Sequence, residues 1–327
     1  MERSEVIKEF LKAGFQLSPS VLEYLVKNEE EIKPFIEYLG RLKPKPLIVT
    51  KKELMSYLSQ GIHLLALDYT KKKNVTTEDV LTYYKERFEF LKKTLTRRIE
   101  LVNLLSINKT KRSKKFSIVG IVREKKEDRL TIEDFTGSLE VIIPSSLSRL
   151  IVEDEVIGIR CMKVGNEITI QQVIFPDIPF LRETAKKVEG KVCVAYRTSE
   201  FNGSLPIIGV QINSPLSIDF KEICWVVFKG LRFLLIFSKV IEKYAKQFKM
   251  EFLDTLVVLL KKRHLNPLFK GFLYDKDPFF IKEIPDFLIC LVETGNLERK
   301  NYKGVTLLTL PKGNFVIIDL AKRTIIS

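Results

Sequence analysis

The chain has little histidine and cysteine and no long apolar run. Its 327 residues include only two histidines, and its four cysteines form no Cys-x-x-Cys pair. Widely spaced cysteines argue against a zinc centre and a disulfide framework, and they predict a reducing, cytoplasmic location. A membrane span needs about 18 uncharged apolar residues. The nearest stretch, residues 224–237, is interrupted by Lys229 and Arg232, so no membrane association is expected.

Short motifs that carry chemistry are also missing. The sequence contains no G-x-x-x-x-G-K-[ST], no G-x-G-x-x-G and no G-x-S-x-G, which argues against a nucleotide pocket and a serine nucleophile. A dinuclear phosphoesterase holds two metal ions about 3.5 to 4 Å apart with several histidines and carboxylates. His63 and His264 lie in separate segments and cannot supply that set. We therefore expect no enzymatic activity and no cofactor.

Positive charge is what the chain has in excess. Lys and Arg number 55 against 41 Asp and Glu, a formal net charge of +14. Such a balance is typical of proteins that work near nucleic acid, although a lysine-rich proteome would also produce it. Residues 108–115 hold five basic residues and no acid, and they are either a backbone-binding segment or a solvated linker between domains. The candidate contacts to a nucleic-acid backbone are Arg97, Arg98, Lys111, Arg112, Lys114 and Lys115.

Hydrophobic periodicity predicts a helical N-terminal part. Residues 1–45 read as a small module of three short helices, and residues 46–115 as a helical connector that ends in the basic segment. In the connector, Thr76 and Asp79 have capping-box spacing. A stripe of apolar residues at steps of three and four then predicts one long helix packed on its own domain. The stripe consists of Leu81, Tyr84, Phe88, Leu91, Leu95, Ile99 and Val102.

The remaining chain predicts a barrel followed by a layered domain. Residues 116–180 read as five short strands split by polar turns, which is typical of a small barrel such as the oligonucleotide-binding (OB) fold. Residues 181–327 alternate strands and helices, which predicts an α/β arrangement. The fold class expected is therefore multidomain α+β. The strands are expected at 191–196, 205–211, 224–228, 287–292, 305–309 and 315–319, and the helices at 237–248 and 250–263.

From about residue 76 onward, four stretches resemble, in the same order, the small subunit of archaeal D-family DNA polymerases and, more distantly, the B subunits of eukaryotic replicative polymerases. "DVLTYYKERFEFLKKTLTRR" is similar to the helix before that family's OB domain, and the stretch from "FSIVGIVREKK" to "VIFPDIP" is similar to the OB domain itself. "LLKKRHLNPLF" and "EIPDFLICLVETGN" are similar to late segments of its phosphoesterase domain. Before these, the first 40 residues agree only in being a helical module.

The resemblance implies a calcineurin-like phosphoesterase domain with a two-metal exonuclease site, but the ligand positions hold other residues. Ser199 and Phe201 stand where the family has an Asp-x-His turn, and Leu231 where it has the aspartate of a Gly-Asp motif. Asn296 and Glu298 replace the histidines of Gly-His-x-His. The Gly-Asn-His-Asp segment is absent because the interval before "LLKKRHLNP" is too short. A serine or phenylalanine cannot replace these ligands, so the domain is expected to be shortened and inactivated.

Three functions are compatible with these patterns. The first is a non-catalytic scaffold subunit that docks to the catalytic chain of a D-family or B-family DNA polymerase, with DNA contacts mainly to the backbone. The alternative is a stand-alone OB-fold protein that binds single-stranded DNA, although Phe116, Phe135 and Phe175 are few aromatics for base stacking. The weakest is a residual phosphoesterase, since nothing indicates that Asp275, Asp277 and Asp286 converge.

Overall fold

The computed structural model describes residues 2–58, 62–64, 74–180, 188–198, 205, 207–210, 222–268 and 277–326. These residues form a helical N-terminal module, a closed barrel and a pair of packed sheets with two helices, which is a multidomain α+β layout. None of the helices within those ranges is long and apolar enough to cross a bilayer.

The N-terminal module has its own core. It comprises α1 (Arg3–Lys12), β1 (Gln16–Leu17), α2 (Pro19–Lys27), a 3-10 helix (Glu29–Glu31), α3 (Ile32–Arg41), β2 (Ile48–Val49) and α4 (Lys51–Leu58). The two short strands pair in parallel. Phe10, Phe35 and Leu39 are fully buried together, and Val49 and Leu54 belong to the same cluster. The core therefore extends through α4.

The connector supplies a sheet strand and a long helix, β3 (Ile62–Leu64) and α5 (Thr77–Leu95). The capping box is confirmed, because the Thr76 hydroxyl accepts from the Asp79 N–H and the Asp79 carboxylate accepts from the Thr76 N–H. The helix is shorter than its apolar stripe predicts. Two successive turns after Leu95 redirect the chain, so that Leu101 is buried while Ile99 is 91% exposed.

The barrel forms where five strands were predicted. A 3-10 helix (Ile107–Arg112) leads into β4 (Lys115–Lys125), β5 (Arg129–Asp134), β6 (Gly137–Ile142), a short α6 (Ser145–Ser148), β7 (Val156–Val164) and β8 (Glu167–Ile174). The strands close in the order β4-β5-β6-β8-β7. All neighbours are antiparallel except β6 and β8, which meet in parallel at Ile142 and Thr169. Alternate side chains fill the interior with isoleucine, leucine and valine.

The C-terminal part consists of two sheets packed face to face, with helices on one outer side. Its elements are β9 (Lys191–Tyr196), β10 (Ile207–Val210), β11 (Ile223–Phe228), β12 (Leu231–Phe237), α7 (Ser238–Phe248), α8 (Phe252–Lys261), β13 (Phe287–Val292), β14 (Glu298–Tyr302), β15 (Val305–Pro311), β16 (Phe315–Asp319) and β17 (Thr324–Ile325). The sheet orders are β14-β15-β13-β12-β11-β3 and β10-β9-β16-β17. Side chains of both sheets share one core, and α7 and α8 cover the other face of the larger sheet.

Most of the predicted strands are confirmed, and two features differ. The strands expected at 191–196, 287–292 and 315–319 have those limits. The segment after β13, for which no strand was predicted, contains β14 as the edge strand of the six-stranded sheet. Its sequence, "ERKNY", carries no apolar alternation because the strand is exposed. Residues 231–237, for which no strand was predicted, form β12, and Lys229 and Gly230 at positive φ make the turn of its hairpin with β11.

Gly120 lies where β4 and β5 of the barrel approach each other closely. A Cβ atom built on Gly120 in β4 would lie 2.3 Å from Cγ2 of Ile132 and 2.8 Å from the backbone oxygen of Glu133, both in β5. A Cβ on Gly40, in the last turn of α3, would meet no neighbouring heavy atom within 4 Å. The two glycines therefore differ in the space available for a methyl group.

We expect Gly120→Ala to lower the free energy of unfolding of the barrel by about 1 to 3 kcal/mol, because the backbone of β5 must move to admit the methyl group. Gly40→Ala is the matched control, and it should raise helix stability by roughly 0.5 to 1 kcal/mol. Native-state hydrogen exchange of the β4 and β5 amides measures the first effect without assuming two-state unfolding of the whole chain. Unchanged barrel exchange in Gly120→Ala would contradict the close packing.

Candidate functional site

Helix α5 lies between the barrel and the C-terminal sheets. Phe88, Leu91 and Leu95 are buried in one cluster with Val119, Val156 and Ile174 of the barrel and Phe280 of the C-terminal part. Phe90 contacts the Phe280 ring edge to face at 5.2 Å. Because the same helix packs on both bodies, it ties the barrel to the C-terminal part.

A buried polar cluster joins α5 to the segment after α8. The Tyr83 hydroxyl donates to Oδ2 of Asp277 at 2.8 Å, and Nε2 of His264 lies 2.7 Å from the same oxygen. Arg87 donates to the Pro267 carbonyl at 3.0 Å. Nδ1 of His264 accepts the backbone N–H of Asn266 at 3.0 Å. His264 therefore holds its proton on Nε2 and is neutral.

The electrostatics of this cluster follow from its burial. Desolvation lowers the pKa of His264 from 6.5 to about 4, against the opposing charge of Asp277. Burial alone would raise the pKa of Asp277, but His264, Arg87 and Tyr83 together hold it well below its usual range. Asp277, one of the aspartates considered for a residual metal site, is therefore a structural acceptor.

A second buried contact joins the barrel directly to α8. Lys262, just past the end of α8, forms an ion pair with Glu155 at the start of β7, and both side chains are at most 2% exposed. The ammonium also donates to the Leu150 carbonyl at 2.6 Å and lies 4.6 Å from the centre of the Phe175 ring. Burial lowers the pKa of Lys262, and the charge of Glu155 opposes that shift.

Asp177, at the exit of the barrel, makes a third contact between the barrel and the C-terminal part. We call α5, the Glu155–Lys262 pair and Asp177 together the junction. The backbone N–H of Asp177, at positive φ, donates to the Lys261 carbonyl at 2.7 Å. Its carboxylate accepts from the Tyr302 hydroxyl at 3.0 Å and from Lys303 at 2.6 Å. Since the backbone N–H contacts α8 and the carboxylate contacts the β14–β15 hairpin, this one residue fixes where the barrel ends relative to the larger sheet.

The carboxyl ends of the parallel strands define the edge where an α/β domain commonly places its ligands. β12, β13 and β15 end there, and β9 of the smaller sheet ends beside them. The Tyr196 hydroxyl donates to Oε1 of Glu293 at 2.5 Å, and Lys312 donates to Oε2 at 2.9 Å. Arg197 lies 3.9 Å from Oε1 of the same carboxylate. A tyrosine, a carboxylate and two cations thus occupy this edge.

These residues do not fit a divalent metal. Hydrogen bonds from Tyr196 and Lys312 lower the pKa of Glu293, while burial and the bond to Glu293 raise the pKa of Tyr196 to about 12. Both oxygens of Glu293 are already engaged, and the cations beside it repel a metal ion. Among the residues that the structure describes, no three His, Cys, Asp or Glu side chains are placed to hold a metal together.

The positions matched to metal motifs are not all brought to this edge. Asn296 and Glu298 lie there and are exposed, and the Thr309 hydroxyl accepts from the Glu298 N–H and donates to the Asn296 carbonyl, each at 2.9 Å. Leu231 is buried at the start of β12, at the opposite end of the strand. A seven-residue strand is roughly 23 Å long, so Leu231 is far from Asn296. Ser199 and Phe201 lie outside the described residues, as does Asp275.

Asp286 has a structural role in the same sheet. It is buried immediately before β13 and accepts the backbone N–H of Arg232 through Oδ2 at 3.0 Å. Its Oδ1 lies 3.5 Å from Arg323. It therefore holds the start of β12 beside the start of β13, far from the carboxyl edge.

The first part of the basic segment lies in a short helix. Its residues from Ile107 to Arg112 form a 3-10 helix, and Ile107 and Thr110 are buried against the barrel. Lys111, Arg112, Lys114 and Lys115 are exposed. Arg97 is also exposed, whereas Arg98 pairs with Glu100 at 2.7 Å and lies 3.8 Å from Asp177. Five of the six candidate contacts to a nucleic-acid backbone are therefore exposed, whereas Arg98 forms ion pairs within the protein.

The outer face of β5 and β6 is charged and has paired ions. Arg129 contacts Glu140 at 2.7 Å and Glu167 at 3.3 Å, and Arg123 contacts Glu133 at 2.9 Å. Of the three aromatics expected on the barrel, Phe116 is buried and Phe175 is half-buried beneath Lys262. Phe135 is 64% exposed. This face offers one exposed aromatic ring and several carboxylates.

The contacts between the barrel and the C-terminal part have almost no local signal in the sequence. The residues around Lys262 and Asp177 do not distinguish them from charged residues on the surface. Their partners, Glu155 and Tyr302, are more than 100 residues away in sequence. The one usable signal was "LLKKRHL", where Lys262, Arg263 and His264 follow an apolar helix without a turn residue. All three are buried.

Comparison with known proteins gives distant matches. No protein-family model matches the chain. It is 26% identical over 196 residues to the DNA polymerase II small subunit of Archaeoglobus fulgidus, covering 57% of this chain and 38% of that protein. It is also 26% identical over 117 residues to the DNA polymerase II small subunit of Methanothermobacter thermautotrophicus, covering 32% and 24%. The matches thus span well under half the length of these curated relatives.

A solved structure also gives a partial match. A chain of the S. pombe Stn1–Ten1 complex has 22% sequence identity and a TM-score of 0.19, over 22% of this chain and 72% of that one. A score this low supports no conclusion about the fold or the function. The distant similarity to DNA polymerase II small subunits, over about half of the chain, is therefore what the comparisons contribute.

We expect the stability of the junction to fall in acid because of His264. Its pKa is lowered in the folded protein, so between about pH 6.5 and pH 4 the unfolded chain binds a proton that the folded chain does not. Relative to His264→Gln, the wild type should lose on the order of 2 to 3 kcal/mol of unfolding free energy over that range. Urea unfolding at each pH measures the difference.

The other histidine provides the matched control for this measurement. His63→Gln leaves His264 in place, so it should keep the acid dependence that His264 causes. If His264→Gln and the wild type lose stability in parallel, His264 is not the neutral, buried group described here.

We expect Mn²⁺ to leave the thermal unfolding temperature unchanged in both the wild type and Glu293→Gln, because the described residues of the carboxyl edge provide no free set of metal ligands. A metal present at 100 times its dissociation constant would stabilise a binding site by about 2.7 kcal/mol. Differential scanning fluorimetry with Mn²⁺ and with a chelator tests this. A metal-dependent rise that disappears in Glu293→Gln would show that the edge binds metal.

Proposed function

We propose that the protein is a non-catalytic accessory subunit of a replicative or repair DNA polymerase, and that it holds the catalytic chain through its barrel and its C-terminal sheets. The similarity to two DNA polymerase II small subunits carries this proposal. A scaffold must present a surface of fixed shape. The junction formed by α5, the Glu155–Lys262 pair and Asp177 supports that requirement, because it makes the barrel and the sheets move together.

We also propose which fold families the barrel and the C-terminal part belong to. The barrel is taken as an OB fold, which is supported by its five strands and its closure. The part from residue 181 onward is taken as a shortened, inactivated relative of calcineurin-like phosphoesterases. The division at residues 45, 115 and 180 remains part of the proposal. The core of the N-terminal module extends to Leu58, which favours placing its end later than residue 45.

Absence of catalysis is also proposed. The edge where parallel strands end carries Glu293 held by Tyr196 and Lys312. In this network both oxygens of Glu293 are engaged, by Tyr196 on one side and Lys312 on the other, and Arg197 lies beside them. Such an arrangement suits a domain kept for its shape. The former ligand positions Ser199, Phe201, Leu231, Asn296 and Glu298 are proposed on the resemblance of the motifs alone.

The stand-alone single-strand binder is the less favoured alternative. Base stacking on an OB-type surface needs aromatic rings within a positive groove. The β5–β6 face instead carries Glu133 and Glu140, each paired with an arginine. Its one exposed ring, Phe135, contacts Phe88 edge to face with 4.8 Å between ring centres. Single-strand binding by this face is therefore weakly supported.

Affinity purification of the tagged full-length protein from its own cells tests the proposal. After a high-salt wash, which weakens DNA-bridged contacts steeply, mass spectrometry should find a DNA polymerase catalytic chain, D-family or B-family, in nearly equal amount. Glu293→Gln is the control, and it should retain the partner because it leaves in place the junction contacts that fix the shape of the proposed docking surface. Recovery of the protein alone, with single-strand binding lost in the wash, would support the alternative instead.

A further inference from the structure

One strongly basic surface of the barrel is not used by the junction. It consists of the exposed cations of the 3-10 helix and of the start of β4, together with Lys163 of β7. We call it the basic ridge and define it as Lys109, Lys111, Arg112, Lys114, Lys115 and Lys163.

Backbone contacts bring these residues together. The Lys163 N–H donates to the Lys114 carbonyl at 2.8 Å, and its ammonium lies 3.4 Å from the Lys111 carbonyl. Lys115 pairs in register with Met162, the residue before Lys163. In a 3-10 helix, residues three apart lie above one another, so Lys109 and Arg112 share a face. The ridge is therefore continuous across two strands and a helix.

The ridge is rigid. The Ile107 N–H donates to Asp134 at 2.9 Å, and the Asn108 N–H donates to the Thr136 hydroxyl at 3.2 Å. Thr110 is 3% exposed and its hydroxyl donates to the Ile107 carbonyl at 2.7 Å. These bonds fasten the 3-10 helix to the β5–β6 turn, so the cations project from a fixed backbone. A solvated linker would need none of these contacts.

The charges of the ridge are unpaired, in contrast to those of the neighbouring strands. Within the described part of the chain, none of the six side chains forms an ion pair, whereas Arg123 and Arg129 on the same barrel each contact a carboxylate. Six like charges on a fixed surface repel one another, and a polyanion would relieve that repulsion. The barrel thus separates an unpaired basic surface from a face of paired ions.

We infer that the basic ridge binds the phosphate backbone of duplex DNA without sequence preference. The choice of DNA as the polyanion rests on the proposed function. A duplex carries about one negative charge per 1.7 Å of axis, twice the density of one strand. No ridge residue is aromatic, so the surface offers charge and no stacking platform, which favours the duplex over a single strand. The ridge would position DNA beside a catalytic chain held elsewhere on the protein.

Fluorescence anisotropy with a short labelled duplex of mixed sequence tests the inference. Measured from about 50 to about 200 mM salt, the logarithm of the affinity should fall with the logarithm of the salt concentration with a slope of about −5 if all six cations contact phosphates. In Lys111→Gln/Arg112→Gln/Lys114→Gln, the slope should become shallower by about 3, and low-salt binding should weaken by at least about tenfold.

The matched control removes the same charge elsewhere. Lys8→Gln/Lys12→Gln/Lys33→Gln changes three exposed lysines on the N-terminal helices, and it should leave both slope and affinity close to those of the wild type. Equal loss in the two triple variants would mean that net charge alone attracts DNA and would overturn the inference. Tighter binding to a single strand than to the duplex, unaffected by the ridge substitutions, would overturn it as well.

A second readout separates this inference from the proposed function. The ridge variant should still recover the polymerase catalytic chain after the high-salt wash, because the substituted cations are proposed to contact DNA and not the catalytic chain. Recovery of that chain with unchanged duplex binding in the variant would refute the ridge and leave the subunit role intact. Duplex binding that depends on the ridge, without any recovered catalytic chain, would support the ridge and refute the subunit role.

Discussion

A buried lysine on the sheet side and a buried glutamate on the barrel side fix how the two bodies meet. Two charges removed from water are expensive to desolvate, and they are tolerated only when each has the other and further hydrogen-bond partners. Lys262 has Glu155, the Leu150 carbonyl and the face of Phe175. A small rotation of the barrel would leave both charges buried and unpaired. The pair therefore selects one orientation, which the apolar contacts of α5 alone would specify less sharply.

The rest of the architecture is consistent with a body kept for its shape. α5 packs on both bodies, and Asp177 fastens the exit of the barrel to the β14–β15 hairpin. At the carboxyl edge, Glu293 accepts from Tyr196 and Lys312. Side-chain hydrogen bonds thus join β9, β13 and β15 at an edge that in a metalloenzyme must stay open to ligands. The edge contributes to cohesion between the two sheets.

Local sequence predicted the elements well and their assembly poorly. Buried strands such as β13 were predictable because every residue in "FLICLV" is apolar, and the start of α5 because Thr76 and Asp79 cap it. The end of α5 was not, since Ile99 and Val102 continue the apolar stripe while the chain turns to bury Leu101 instead. The sequence left open whether the basic segment is a linker or a DNA contact. The residue that anchors it, Asp134, accepts the N–H of Ile107 and lies 27 residues away in sequence, so no local pattern reveals the contact. Contacts at that range leave no periodic signal.

Strand β14 has a consequence for how the protein behaves toward copies of itself. The edge of a sheet presents unpaired backbone groups that can template another strand. On the exposed side of the six-stranded sheet, that edge is Glu298–Tyr302, where Glu298, Arg299 and Lys300 follow one another and are exposed. A second copy docking there in parallel register would bring like charges together, and docking in either direction would strip water from three charged side chains. The sheet thus ends in a charged strand that resists edge-to-edge aggregation, and the apolar layers behind it stay covered when copies of the protein meet.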